Sequence, residues 1–201
     1  LNAWGESGSG NVPHYGAAFM YLAYFLDRFG EDTTKAVVNN KENGLQAIDD
    51  TLKQLKITDK TTGKPTTAVE VFADWVIANY LGDKNAADGR YYYSNYPTAP
   101  KVTKDTETVT RCPAAAKSAT VHQFAADYIK ITCPGLITIN FTGSQQIGVV
   151  AATPHSGKYY LWSNRGDKSD TTLTREFDLS NVKSATLRYW AHWELEKEYD
   201  F

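Results

Sequence analysis

The spacing of apolar residues changes once along this chain, near Asp83, and a single layer of one kind of secondary structure cannot satisfy both halves of the pattern. Before that point the period is helical. The segment VPHYGAAFMYLAYFLDRFG, residues 12–30, places Tyr15, Phe19, Leu22, Leu26 and Phe29 three and four apart, which forms one apolar stripe on a helix of 3.6 residues per turn. Gly30 is expected just beyond its end, where glycine adopts a left-handed backbone at little cost. Residues 31–40 read as a short second helix opened by Asp32 or Thr33. Leu45, Ile48, Leu52 and Leu55 mark a third after Gly44. Beyond a polar loop, Thr67 and Glu70 have capping-box spacing, in which each side chain satisfies the other's unpaired amide. The helix they open carries Val69, Phe72, Val76 and Tyr80 and is expected to stop at Gly82. These stripes are expected to line a core of about four helices.

From about Thr106 the period becomes two. FAADYIKI, LITINFTG, KYYLWSN, TTLTREFDL and SATLRYWAHW alternate or cluster apolar residues at strand length, separated by Gly, Pro, Asn and Ser. That pattern predicts an antiparallel β-sandwich of jelly-roll type. The expected fold class is therefore α+β: a helical subdomain over 1–83, a linker or covering loop over 84–104, and a partial sandwich over 105–201. The final segment WELEKEYDF still alternates, so the sheet is expected to be completed by further chain or by a complementary fragment, since an apolar open edge invites pairing. A start at Leu1, with Met20 as the single methionine, likewise suggests a segment upstream.

Charge narrows the possible partners. Lys and Arg number 21 against 23 Asp and Glu, a formal charge of −2, which gives no basic footprint for nucleic acid. No apolar run approaches the roughly 18 residues needed to span a membrane. Cys112 and Cys133 are either two buried thiols or a pair; their position around one expected strand pair favours a disulfide, worth about 3 kcal/mol for a loop of this size. With abundant tyrosine and scarce methionine, that favours an oxidising, extracellular or cell-surface setting.

HYGAAFMYLAYFLDRFG, NGLQAIDDTLKQL and FADWVIANYLGD, in that order, resemble the C-terminal helical half of secreted zinc metallopeptidases of the immune inhibitor A type. TTLTREFDLSNVKSATLRYWAHWELEKEYDF resembles the start of the MAM-like jelly roll of the same proteins. The resemblance implies proteolysis of protein or peptide substrates with zinc as cofactor. Such peptidases hold zinc through H-E-x-x-H, two histidines one helical turn apart with a glutamate that activates the bound water. This chain has four histidines, His14, His122, His155 and His192, and none has that spacing. The zinc ligands are therefore expected outside this chain, which alone should be inactive.

His14 and Tyr15 are the residues here with a possible reach into the chemistry, as hydrogen-bond donors to a tetrahedral oxyanion; otherwise Tyr15 is a core anchor and His14 a helix-opening residue. Calcium, which takes six to eight oxygen ligands, could be held by Asp167 and Asp170 in a polar loop and by Glu196 and Asp200 near the end, the last two pointed out by resemblance to calcium-bearing jelly rolls. The competing reading of these acids is a solvated edge. A non-catalytic adhesion or carbohydrate-binding protein on the same architecture is the alternative function.

Overall fold

A computed structural model describes residues 11–122, 124–144, 146, 148, 150, 152–164 and 170–193. The chain divides into two units, 1–138 and 139–201. Among the described residues there are three helices and two short strands: α1 Val12–Val38, α2 Gly44–Gln54, α3 Ala68–Leu81, β1 Glu107–Val109 and β2 Ile129–Ile131. The mixture of helix and strand agrees with an α+β class, but several finer expectations are corrected.

The expected separate helix over 31–40 is the distal part of α1. Gly30 interrupts the helix with φ 81° and ψ 175°, a backbone that glycine tolerates, and helical bonding resumes at once. The break expected at Gly30 is present as a kink between two helical stretches of one element, and three helices stand where about four were expected.

The first stripe is displaced as well. Tyr21, Tyr24 and Phe25 are the buried residues of α1's first segment, whereas Tyr15, Phe19, Leu22 and Leu26 are exposed. Residues 12–29 are apolar on two faces, and spacing alone cannot choose between them. The core is built by Tyr21, Tyr24, Phe25, Ile48, Leu52, Val71, Trp75 and Tyr93, with Phe29 packed at its margin.

Local chemistry fixes the other helices. α2 ends in paired bonds from Lys56 N to the Lys53 carbonyl at 3.1 Å and from Ile57 N to the Leu52 carbonyl at 2.9 Å. This is a Schellman end, with Lys56 at φ 54° in the position usually held by glycine. At the start of α3 both halves of the Thr67 and Glu70 capping box are present, and Asp49 of α2 accepts from Ala68 N at 2.7 Å. A carboxylate there faces the positive end of the helix dipole. At the other end Gly82 is left-handed, φ 49°, and Lys101 Nζ donates to the carbonyls of Leu81 and Gly82.

β1 and β2 pair in parallel, Glu107 opposite Ile129 and Val109 opposite Ile131. Both strands therefore leave the ladder at the same end, where Cys112 and Cys133 are joined in a disulfide with Cα atoms 5.9 Å apart. The bond expected from sequence is present. The pairing is parallel because the nineteen residues between the strands, 110–128, return the chain to the same edge in the same direction.

The expected antiparallel sandwich is not seen among the described residues. Among the described residues of 139–201 none is helical or in a strand, and large apolar side chains stay in solvent, with Phe141 88 %, Tyr159 88 % and Trp190 78 % exposed. Alternation supplies only one face of a strand; without ladder partners and a facing sheet, the other requirements of a sandwich are unmet. Within this unit His155 stacks on Trp190, ring centroids 3.9 Å apart.

Candidate functional site

Five charged residues meet beside a cleft of about 540 Å³ in the first unit, lined by Tyr24, Arg28, Phe29, Asp59, Arg90 and Tyr92 among others. Four elements deliver them. Tyr24 and Arg28 are one helical turn apart on α1, which places them on one face. Asp59 sits in a tight turn where its Oδ1 accepts from the main-chain N–H groups of Thr61 and Thr62 at 3.0 and 2.8 Å. That turn fixes the carboxylate and leaves Oδ2 aimed outward. Asp88 and Arg90 belong to the loop after α3, and Asp74 comes from α3 itself.

Arg90 is the centre of the cluster. Its Nε and Nη2 donate to the two oxygens of Asp88 at 2.6 and 2.8 Å. Its Nη1 donates to Asp59 Oδ2 at 2.5 Å and to Asp74 Oδ2 at 3.3 Å, and Nη2 also reaches Thr61 Oγ1 at 3.0 Å. Arg28 Nη1 donates to Asp74 and, at 3.1 Å, to Tyr24 Oη, while its guanidinium lies 5.2 Å from the Phe29 ring centroid. The side chains of Arg28, Asp59, Asp74 and Arg90 are each 12 to 15 % exposed. Planar guanidinium forks suit this bidentate work and lose little freedom per bond formed.

Electrostatics decide what the cluster can do. Hydrogen bonds from Arg90 hold the Asp59 carboxyl far below the usual carboxylate range, helped by the Thr62 amide. The same guanidinium lowers Asp88 to about 2. Asp88 in turn raises Arg90 against the opposing effect of burial, with Asp59 adding to it. Burial would lower Arg28, but Tyr24 and Asp74 outweigh it and the group is raised. Burial pushes Tyr24 up to about 12, against the pull of Arg28. These shifts move the titrations of Asp59, Asp88, Arg28, Arg90 and the un-ionised Tyr24 phenol away from neutral pH, so the charged groups, with Asp74 between the two arginines, make a brace and not an acid-base pair, whose members would need values near the working pH. The brace pins the 84–100 loop to the helices, together with Tyr93, which is buried and donates to Asn79 Oδ1 at 2.6 Å, and Asp27, which accepts from the Ser94 and Asn95 amides.

The residues singled out from sequence lie elsewhere. His14 and Tyr15 are in the first turn of α1, fourteen residues and about 21 Å of helical rise before Arg28. His14 is half-buried and Tyr15 exposed. Of the calcium candidates, Asp170 is exposed, and Asp167, Glu196 and Asp200 lie outside the described residues. Among the described residues, no group of three or more His, Cys, Asp or Glu is placed to hold a metal ion. No helix there is long and apolar enough to cross a membrane. The sequence reading missed the five charged residues of the brace. Asp88 and Arg90 are two residues apart, but the pairs that join Arg28, Asp59, Asp74 and Arg90 are 16 to 46 residues apart, and no spacing rule connects such positions.

Residues 118–201 match the family model described as immune inhibitor A-like, MAM domain. The later part of the chain is thus similar to the MAM domain of immune inhibitor A-like proteins. Immune inhibitor A of Bacillus thuringiensis subsp. alesti is 39 % identical over 69 residues, covering 34 % of this chain. The matched stretch spans 10 % of that protein's length. No solved structure matches the chain.

Proposed function

We propose that these 201 residues are a segment of an extracellular zinc metalloendopeptidase of the immune inhibitor A type. Residues 1–83 form a helical wall of the peptidase part, and residues from about 105 begin an accessory MAM-like jelly roll whose sheets are completed by further strands. The zinc ligands and the general base lie outside this chain. The single observation that carries the reading is the match of residues 118–201 to the immune inhibitor A-like MAM domain, and the helical segments that precede it come in the order the resemblance implies. In this reading the charged brace holds the wall rigid, while His14 and Tyr15 face the oxyanion from the start of α1. Asp167, Asp170, Glu196 and Asp200 supply oxygens to a calcium ion in the jelly roll.

The test is made on the intact natural polypeptide. Stoichiometric zinc, with peptide hydrolysis lost on chelation and restored by zinc, is the expected result, and the 201-residue chain alone should be inactive. A polypeptide with neither zinc nor hydrolysis overturns the reading and leaves the adhesive or carbohydrate-binding one. Calcium is tested separately: chelation should lower the melting temperature, calcium alone should restore it, and Glu196→Ala with Asp200→Ala should abolish that response.

A further inference from the structure

Asn43 is the one asparagine of this chain that a glycine follows. The pair lies in the connection between α1 and α2, where Asn43 is exposed and extended, φ −111° and ψ 158°, and its side chain makes no capping hydrogen bond. Gly44 stands at φ 61°, a left-handed backbone that glycine holds at little cost, and nothing lies within 4 Å of where its Cβ would be. As the first residue of α2 it has no intrahelical acceptor for its N–H. An unbonded carboxamide therefore adjoins an unbonded main-chain amide, and no side chain shields the approach of one to the other.

The two groups can react with each other. The Gly44 nitrogen attacks Asn43 Cγ, the new N–Cγ bond forms as the Cγ–Nδ2 bond breaks, and the amide proton leaves by way of water on the departing ammonia. Water then opens the cyclic imide. Cleavage at the side-chain carbonyl gives aspartate, and cleavage at the main-chain carbonyl gives isoaspartate, whose backbone runs through the side-chain carbons. The fold separates this asparagine from others. Asn40 donates to the Ala47 carbonyl and Thr51 Oγ1 at 3.4 and 3.3 Å and accepts from Glu42 N at 2.9 Å. Asn79 accepts from Tyr93 at 2.6 Å, and Asn95 donates to the Ala23 carbonyl at 2.9 Å. Asp88 also precedes a glycine, but Arg90 holds both oxygens of its carboxylate, and an ionised carboxylate is a poor target for a nucleophile.

We propose that Asn43 and Gly44 form a site of spontaneous modification, at which the folded protein converts an asparaginyl carboxamide into aspartyl and isoaspartyl carboxylates. Aspartate puts a negative charge ahead of the first turn of α2, which holds no acid of its own. Isoaspartate lengthens the main chain between α1 and α2. Because α2 carries Ile48 and Leu52 of the core, and Asp49, which accepts from the first amide of α3, this second product loosens the helical packing. The inference is independent of the peptidase reading.

The intact natural polypeptide is incubated in warm, mildly alkaline buffer, folded and separately in urea, and mapped by peptide mass spectrometry. In the folded protein the Asn43 peptide should gain one mass unit at about tenfold or more the rate of Asn40, Asn79 or Asn95, each of which must first open locally. Isoaspartyl methyltransferase should label the same peptide. Asn43→Ser, which keeps a residue favoured ahead of a helix, should abolish both signals. An Asn43 peptide unchanged in the folded protein overturns the proposal, even if it converts in urea, and so does a rate no greater than at the other three asparagines. The isoaspartyl fraction, collected by ion exchange, should melt below Asn43→Asp; equal melting overturns the claim that the modification loosens the packing.

Discussion

The phenolic hydroxyl of Tyr24 donates to the main-chain carbonyl oxygen of Arg90 at 2.9 Å, joining α1 to a loop 66 residues further along the chain. The Tyr24 phenolic oxygen in turn accepts from Arg28 Nη1. Tyr24→Phe removes both bonds from a site that is 1 % exposed, and the loss should be about 1 to 2 kcal/mol in urea unfolding. The alkaline titration of the variant should also lack one phenol ionising near 12.

Asp74 accepts from both arginines of the brace. Asp74→Asn leaves two largely buried guanidinium groups short of a counter-charge, and the expected cost is about 3 kcal/mol. Double-mutant cycles with Arg28→Gln and Arg90→Gln should show coupling above about 0.5 kcal/mol. Additive behaviour would mean that the cluster does not act as a unit.

Acid should weaken the first unit through Asp59 and Asp88. Asp88 binds its proton at about 2 when folded, against an ordinary value of 3.8, and Asp59 lies lower still. The unfolded chain therefore takes up these protons first, so their contribution is complete above about pH 4 and is lost as pH falls through 2. The melting temperature should drop over that interval, and Arg90→Gln should flatten the drop.

Lys56 stands in a left-handed conformation at the end of α2, with φ 54°. Lys56→Gly should stabilise the chain by about 0.5 to 1 kcal/mol, because the strain of a side chain in that region exceeds glycine's extra entropy in the unfolded state. A loss of stability in thermal unfolding would show that the lysine side chain compensates for its backbone.

Replacing both cysteines by serine should cost about 3 kcal/mol. The effect should be local at first. Amides of Ile129–Ile131 should lose hydrogen-exchange protection before those of α3, since the bond lies just past the strand pair and away from the helical core.

What could be read from the residues followed the range of the interaction. The Thr67 and Glu70 capping box spans three residues, Gly82 acts within one turn, and both are where local rules put them. The disulfide was legible because only two cysteines exist. Burial on α1 was not: Phe19 and Phe25 belong to two equally apolar faces, and choosing between them requires knowing what packs alongside. The brace failed for a related reason. Arg28, Asp59, Asp74 and Arg90 look like ordinary surface charges until four separate elements bring them together.

The cystine also changes what cleavage can do to this molecule. Residues 113–122 are exposed and lie inside the loop that Cys112 and Cys133 close, so a protease cutting after Lys117 would sever the main chain without releasing either product. Nicked and uncut material would migrate together on a non-reducing gel and part only when a thiol is added.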